Sequence, residues 1–203
     1  AVNAHGMVHR DIKPDNILIS KTGAIKLSDF GTAKSFLDQE SMTQTGVIIG
    51  TPHYISPEQV RADSEIDHRA DLYALGGTLY HILCGRLPFD ASTGLEIMRR
   101  HLQEELENPA DINPALSVGA VQIVSKLMAK DRKERYQSAL ELIEDIDRVI
   151  EQKTPLHATL DQHKSSIRPP KKKVKKKAAG CLGLIFLIAA AGAARAAWLT
   201  NFS

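Results

Sequence analysis

Residues 9–20 read HRDIKPDNILIS and set a carboxylate (Asp11), an amine (Lys13) and a carboxamide (Asn16) around Pro14, just ahead of an apolar run. A second carboxylate, Asp29, opens the triplet DFG at 29–31. Phosphoryl transfer asks a protein mainly for positioning and charge compensation. It needs oxygen ligands for a divalent cation, a positive charge beside the moving phosphate, and an acceptor for the proton of the attacking hydroxyl. These four residues are of the right types for those tasks. Taken singly they say less: Asp29 alone fits a turn, and Gly31 alone a tight bend. His5 and His9, spaced as HxxxH, would suit a metal on a helix, but the Lys-Pro pair downstream argues for a loop.

The elements around these groups must bring them together. Residues 16–29 read as a β-hairpin, NILIS and AIKLSD about a KTG turn, which would fold Asp29 back beside the Asp11 loop. Residues 30–65 have no sustained period and read as a long loop, and loops of that length usually have a task. Residues 67–85 are apolar on every side, the mark of a buried helix. Ser92 or Thr93 would cap a helix running to about Glu105, with Leu95, Met98 and Leu102 on one side. Ser117 would cap another, with Val121, Val124 and Met128 inward. Ser138 opens the last, where Leu142, Ile143, Ile146, Val149 and Ile150 recur at helical spacing. From 153 to 170 the chain is polar and aperiodic, which reads as a linker. A short hairpin followed by helices is an α+β, mainly helical body.

Composition bounds the rest. The 203 residues are 43% hydrophobic and 25% charged, as expected of a globular domain with an appendage. The net charge of +2 conceals an asymmetry: Arg168 and the lysines of KKKVKKK (171–177) make one tail basic and leave the body mildly acidic. Cys84 and Cys181 lie far apart, and neither CxxC nor HExxH occurs, which excludes a zinc site or disulfide framework of those patterns and suits a reducing compartment. No internal repeat is seen. The chain opens on Ala with no signal peptide ahead of the motif, so a piece of a longer protein is expected.

Taken in order, the motifs resemble those of the protein kinase family. HRDIKPDN is similar to its catalytic loop and DFG to its metal-binding loop. GTPHYISPE (50–58) resembles the end of its activation segment, and DLYALG (71–76) the start of its central buried helix. DRKERYQSA (131–139) resembles the segment whose Arg pairs with the Glu of SPE. The resemblance covers residues 5–150 and implies the C-terminal lobe of the fold. It implies that Asp11 is the catalytic base, that Lys13 steadies the γ-phosphate of ATP, and that Asn16 and Asp29 hold Mg²⁺ or Mn²⁺. It makes Leu18 the floor under adenine, Asp71 the anchor of the catalytic loop, and Glu58 with Arg135 a buried ion pair. Lys13 together with Thr51 in GTPHY implies Ser/Thr specificity. Arg10 would meet a phosphate on Thr43 or Thr45 of the activation segment, and TQTG with SPEQ looks most like bacterial members. The family's small N-terminal lobe, with its Gly-rich loop and strand Lys, has no counterpart in these residues and is expected upstream. The alternative is a non-catalytic one-lobe relic acting as a membrane-anchored binding module.

The tail carries the last expectation. Residues 178–194 hold no charge, and up to Leu199 only Arg195 interrupts. Twenty-two helical residues rise roughly 33 Å, enough for a bilayer core of about 30 Å. Arg195 would snorkel, Trp198 would sit at the interface, and the lysines would lie on the cytoplasmic side. A nuclear import signal or nucleic-acid patch would leave the apolar stretch unexplained. The organisation expected is therefore a kinase C-lobe over 1–152, a polar then Lys-rich juxtamembrane linker over 153–177, a transmembrane helix over 178–199 and a short exterior tail over 200–203. That makes a single-pass protein of the cell membrane with a cytoplasmic lobe. Its expected partners are protein substrates bearing Ser or Thr, the lipid bilayer and an N-lobe, with a homodimer allowed and no nucleic acid.

Overall fold

The hairpin forms where the alternation requires it. In the computed structural model, which describes residues 8–28, 52–158 and 167–171, β1 (Ile17–Ile19) pairs antiparallel with β2 (Ile25–Leu27), Leu18 opposite Lys26. Gly23 closes the turn at φ 80°, a left-handed conformation that glycine adopts without steric cost.

Below the hairpin the body is helical. α1 (Pro57–Val60) is followed by α2 (His68–Cys84), α3 (Gly94–Gln103), α4 (Pro109–Ile112), α5 (Val118–Leu127) and α6 (Ala139–Ile150). The expected caps are in place: the side chains of Thr93, Ser117 and Ser138 accept from backbone N–H groups of the first turns of α3, α5 and α6. α2 is buried over most of its surface, with Tyr73, Gly76, Gly77, Thr78 and Tyr80 among its buried residues, while Ile82 is exposed. Its contact with α5 depends on Gly76, where a Cβ would stand 2.6 Å from Leu127 Cβ and 2.9 Å from Met128 Cγ. The core gathers Tyr73 and Tyr80 of α2, Ile123, Val124 and Leu127 of α5, Leu142, Ile146 and Val149 of α6, and Met128 and Tyr136 between the last two helices.

Four expectations need correction or restriction. The region 30–65, read as a loop, contains α1, a single turn too short to show a period; Ser56 and Gln59 close it with a reciprocal capping box. On α3 the buried residues are Ile97 and His101, while Leu95 is 72% exposed. The ring of Phe89 packs edge-on to His101, so the helix is turned by a polar residue that hydropathy does not count. The stretch read as a linker from 153 is docked to the lobe wherever it is described. Asp145, fully buried on α6, accepts from the backbone N–H groups of Leu156, His157 and Ala158, and Ala158 and Ile167 join the core. Ile167 bridges Leu106 in parallel, and the Lys171 N–H donates to Asp111 at 3.0 Å. A segment held by its backbone on one carboxylate shows no periodicity, which is why it reads as free. Finally, among the described residues no helix is long and apolar enough to cross a membrane, and the expected span at 178–199 lies outside them.

Candidate active site

The loop that carries Asp11 is held in an uncommon backbone conformation. Arg10 has φ 67°, which costs a residue with a Cβ about 1–2 kcal/mol. The restraint comes from Asp71 in the first turn of α2, whose carboxylate accepts from the His9 N–H at 2.8 Å and the Arg10 N–H at 2.7 Å. Burial pushes the Asp71 carboxyl pKa up, and these two amide bonds pull it partly back. The buried His9 ring joins the loop to the hairpin. Its Nδ1 faces the Asp11 N–H at 3.3 Å, and its Nε2 lies 2.9 Å from the Ser28 carbonyl. An amide can only donate and a carbonyl only accept, so the hydrogen sits on Nε2.

The Asp11 side chain is held on one side only. Its Oδ2 accepts from Lys13 Nζ at 2.7 Å and from Asn16 Nδ2 at 3.0 Å. Among the described residues nothing donates to its Oδ1. Asn16 Nδ2 also donates to the Asp11 carbonyl at 2.8 Å, so both amide hydrogens point at Asp11, and among the described residues nothing donates to Asn16 Oδ1. The Pro14–Asn16 turn makes this closure: the Asn16 N–H donates to the Lys13 carbonyl at 3.1 Å and swings the carboxamide back over the loop. The arrangement offers a fixed proton acceptor, an adjacent ammonium and a hard oxygen. Leu18 faces outward on β1, 54% exposed.

The second cluster braces α1. Arg135 is fully buried and forks across Glu58, Nη1 to Oε1 at 2.7 Å and Nη2 to Oε2 at 2.8 Å. Its other N–H groups donate to the carbonyls of Ala129, Arg69 and Lys130, and its guanidinium lies 4.8 Å from the centroid of Tyr73. Next to Glu58, Gln59 donates from Nε2 to the Arg10 carbonyl at 3.0 Å. The sequence reading did not single out Gln59 or the His9 bridge; the signals available were the Ser56–Gln59 capping-box spacing and the place of His9 at the head of HRDIKPDN. Asp29, Thr43, Thr45 and Thr51 lie outside the described residues. The structure therefore brings Asp11, Lys13, Asn16, Arg10 and Asp71 together, with Glu58 and Arg135 behind them.

Comparison with known proteins agrees with this arrangement. A family model described as "Protein kinase domain" matches residues 2–146. The serine/threonine-protein kinase PknB of Mycobacterium leprae is 43% identical over 145 residues, 71% of this chain and 23% of that protein. A probable serine/threonine-protein kinase PknB of Lactococcus lactis is 40% identical over 144 residues, again 71% of this chain and 23% of that protein. The PknB of Mycolicibacterium smegmatis is 42% identical over 156 residues, 74% of this chain and 24% of that protein. The chain thus spans about a quarter of the length of these relatives. A match over most of the chain, with the Asp11 loop meeting α2 and the SPE and Arg135 segments meeting each other, means that the chain belongs to the protein kinase family.

Proposed function

We propose that this chain carries the hydroxyl-activating half of a serine/threonine protein kinase site, which transfers the γ-phosphoryl group of ATP to Ser or Thr side chains of proteins. The observation that carries the reading is the Asp11 carboxylate, with one oxygen held by Lys13 and Asn16 and the other open among the described residues. The open oxygen orients the substrate hydroxyl and takes its proton. Lys13 Nζ, 2.7 Å from the held oxygen, offsets charge on the γ-phosphate as the new bond forms. Asn16 Oδ1 and Asp29 would hold Mg²⁺ or Mn²⁺, which prefers hard oxygen donors, and the ion would supply charge neutralisation at the phosphates. Leu18 presents apolar surface to the adenine. A phosphate on Thr43 or Thr45 would pair with Arg10 and order the segment before SPE; Thr51, by its place in the family motif, would contact Asp11 and Lys13.

These 203 residues hold no GxGxxG loop to cover the phosphates. The triphosphate would stay hydrated and mobile against this lobe alone, and phosphoryl transfer depends mainly on fixing it in line. The test follows. The 203-residue chain alone is expected to give no ATP-dependent phosphorylation of a basic protein substrate. Joined to a complete N-lobe it is expected to be active, and Asp11→Asn should abolish that activity. A joined protein that binds ATP yet transfers nothing would favour the non-catalytic binding module.

The apolar stretch 178–199 behind the lysine run supports a single membrane span with the lobe on the cytoplasmic side. Deleting 178–203 should release the protein from membranes. Loss of binding in high salt alone would instead indicate surface attraction by the lysines.

A further inference from the structure

We propose that Gln59 is a positioning residue of the active site, its carboxamide joining the end of the activation segment to the peptide bond that carries Asp11. The catalytic consequence rests on the kinase reading above; the joint itself does not.

The geometry assigns the two ends of this side chain different tasks. Gln59 Oε1 accepts from the Ser56 N–H at 3.1 Å and the Ser56 hydroxyl at 3.0 Å, completing the capping box of α1. Gln59 Nε2 donates to the Arg10 carbonyl at 3.0 Å. The partners fix the orientation, because an amide N–H cannot accept and a carbonyl cannot donate. Only a group that accepts at one end and donates at the other serves both.

The target of the donor end is what gives the bond its importance. Arg10 sits at φ 67°, and its N–H is already held by Asp71 on α2. Its carbonyl belongs to the same peptide plane as the Asp11 N–H, which donates to His9 Nδ1. Gln59 and His9 therefore hold that plane from opposite edges, and Asp11 extends directly from it. Releasing the carbonyl edge lets the plane rotate and the carboxylate swing. Displacement of a reacting group by about 1 Å costs on the order of a hundredfold in rate. Because Gln59 adjoins Glu58, which Arg135 locks in the core, the catalytic loop is referenced through α1 to a fixed point.

Two substitutions separate cap from joint. Glu is the ordinary capping-box partner, so Gln59→Glu keeps acceptor oxygens for Ser56 but turns an oxygen toward the Arg10 carbonyl. Gln59→Ala removes both. In the 203-residue chain, Gln59→Glu is expected to melt close to the parent, with the Asp11 amide exchanging about tenfold faster and the amides of 60–62 unchanged. Gln59→Ala should speed exchange at both places. In a two-lobed protein, Gln59→Glu should lower kcat at least tenfold with KM for ATP little changed. Unchanged exchange at Asp11 in Gln59→Glu would overturn the proposal, as would equal loosening of α1, which would mean a merely structural role. Faster exchange with parental kcat would also overturn it. If the parent two-lobed protein transfers no phosphate, the proposed function fails, while the exchange comparison still decides whether the joint exists.

Discussion

Replacing Arg135 by Met should remove a large part of the stability of this lobe. The guanidinium spends all five N–H groups inside the core: two on the Glu58 carboxylate and one each on the carbonyls of Ala129, Arg69 and Lys130. Met fills similar volume and donates nothing. It leaves a buried carboxylate uncompensated, which costs about 3–5 kcal/mol when one partner of such a pair is removed. Against a total of about 5–15 kcal/mol, that is enough to lower the melting temperature by roughly 10 °C or more. Adding Glu58→Leu should recover part of the loss, because the orphaned charge goes, giving a coupling of about 2–3 kcal/mol. Recovery should be incomplete, since the three carbonyls still lack donors. Arg135→Lys should fall between the two, as an ammonium offers three donors from one point and cannot fork across both carboxylate oxygens. Urea denaturation followed by circular dichroism measures all of these proteins together with Glu58→Leu alone, which closes the cycle. An Arg135→Met variant within about 1 kcal/mol of the parent, or a strictly additive cycle, would refute the reasoning.

Ala62 and Gln152 stand left-handed, at φ 55° and 58°, just past the ends of α1 and α6, where Asp63 and Lys153 N–H groups close back on Glu58 and Arg148. Ala62→Gly and Gln152→Gly should each stabilise by roughly 0.5–1 kcal/mol in denaturant titration, against the usual cost of a glycine. Burial lowers the His101 pKa to about 3, so the folded ring stays neutral while the unfolded chain takes up a proton below about 6.5. Stability should therefore fall as pH drops from about 6.5 toward 3, and His101→Gln should flatten that slope by up to about 1.4 kcal/mol per pH unit in urea midpoints. Asp145→Asn keeps only one of the two oxygens that together accept from three amides and the Tyr136 hydroxyl, and sets a donor where the other stood. It should cost roughly 2–3 kcal/mol and speed hydrogen exchange at Leu156, His157 and Ala158 before the rest of the lobe.

Local physics decided much of this protein in one dimension. The Thr93, Ser117 and Ser138 caps, the alternation of 17–27 and the apolar girth of 68–84 are short-range signals, and each element formed where its signal lay. The chemistry-bearing set was legible for the same reason: Asp11, Lys13 and Asn16 are neighbours in the chain, and a Pro turn is all that closes them. What the sequence could not determine is whatever depends on partners remote along the chain. Glu58 and Arg135, 77 residues apart, become a buried pair only when α1 meets the segment before α6. Family resemblance, not spacing, suggested that pairing. Nothing local marks Asp145 among the charges of α6, yet tertiary folding turned it inward to grip 156–158. His101 outweighed Leu95 on α3 because its two ring nitrogens, Nδ1 facing the Tyr73 hydroxyl and Nε2 the His53 carbonyl, can be buried at no net loss of hydrogen bonds. Gln59 shows the division most plainly. Its capping oxygen is local and readable three residues from Ser56, whereas its donor finds Arg10 across a gap of 49 residues that only the folded chain closes.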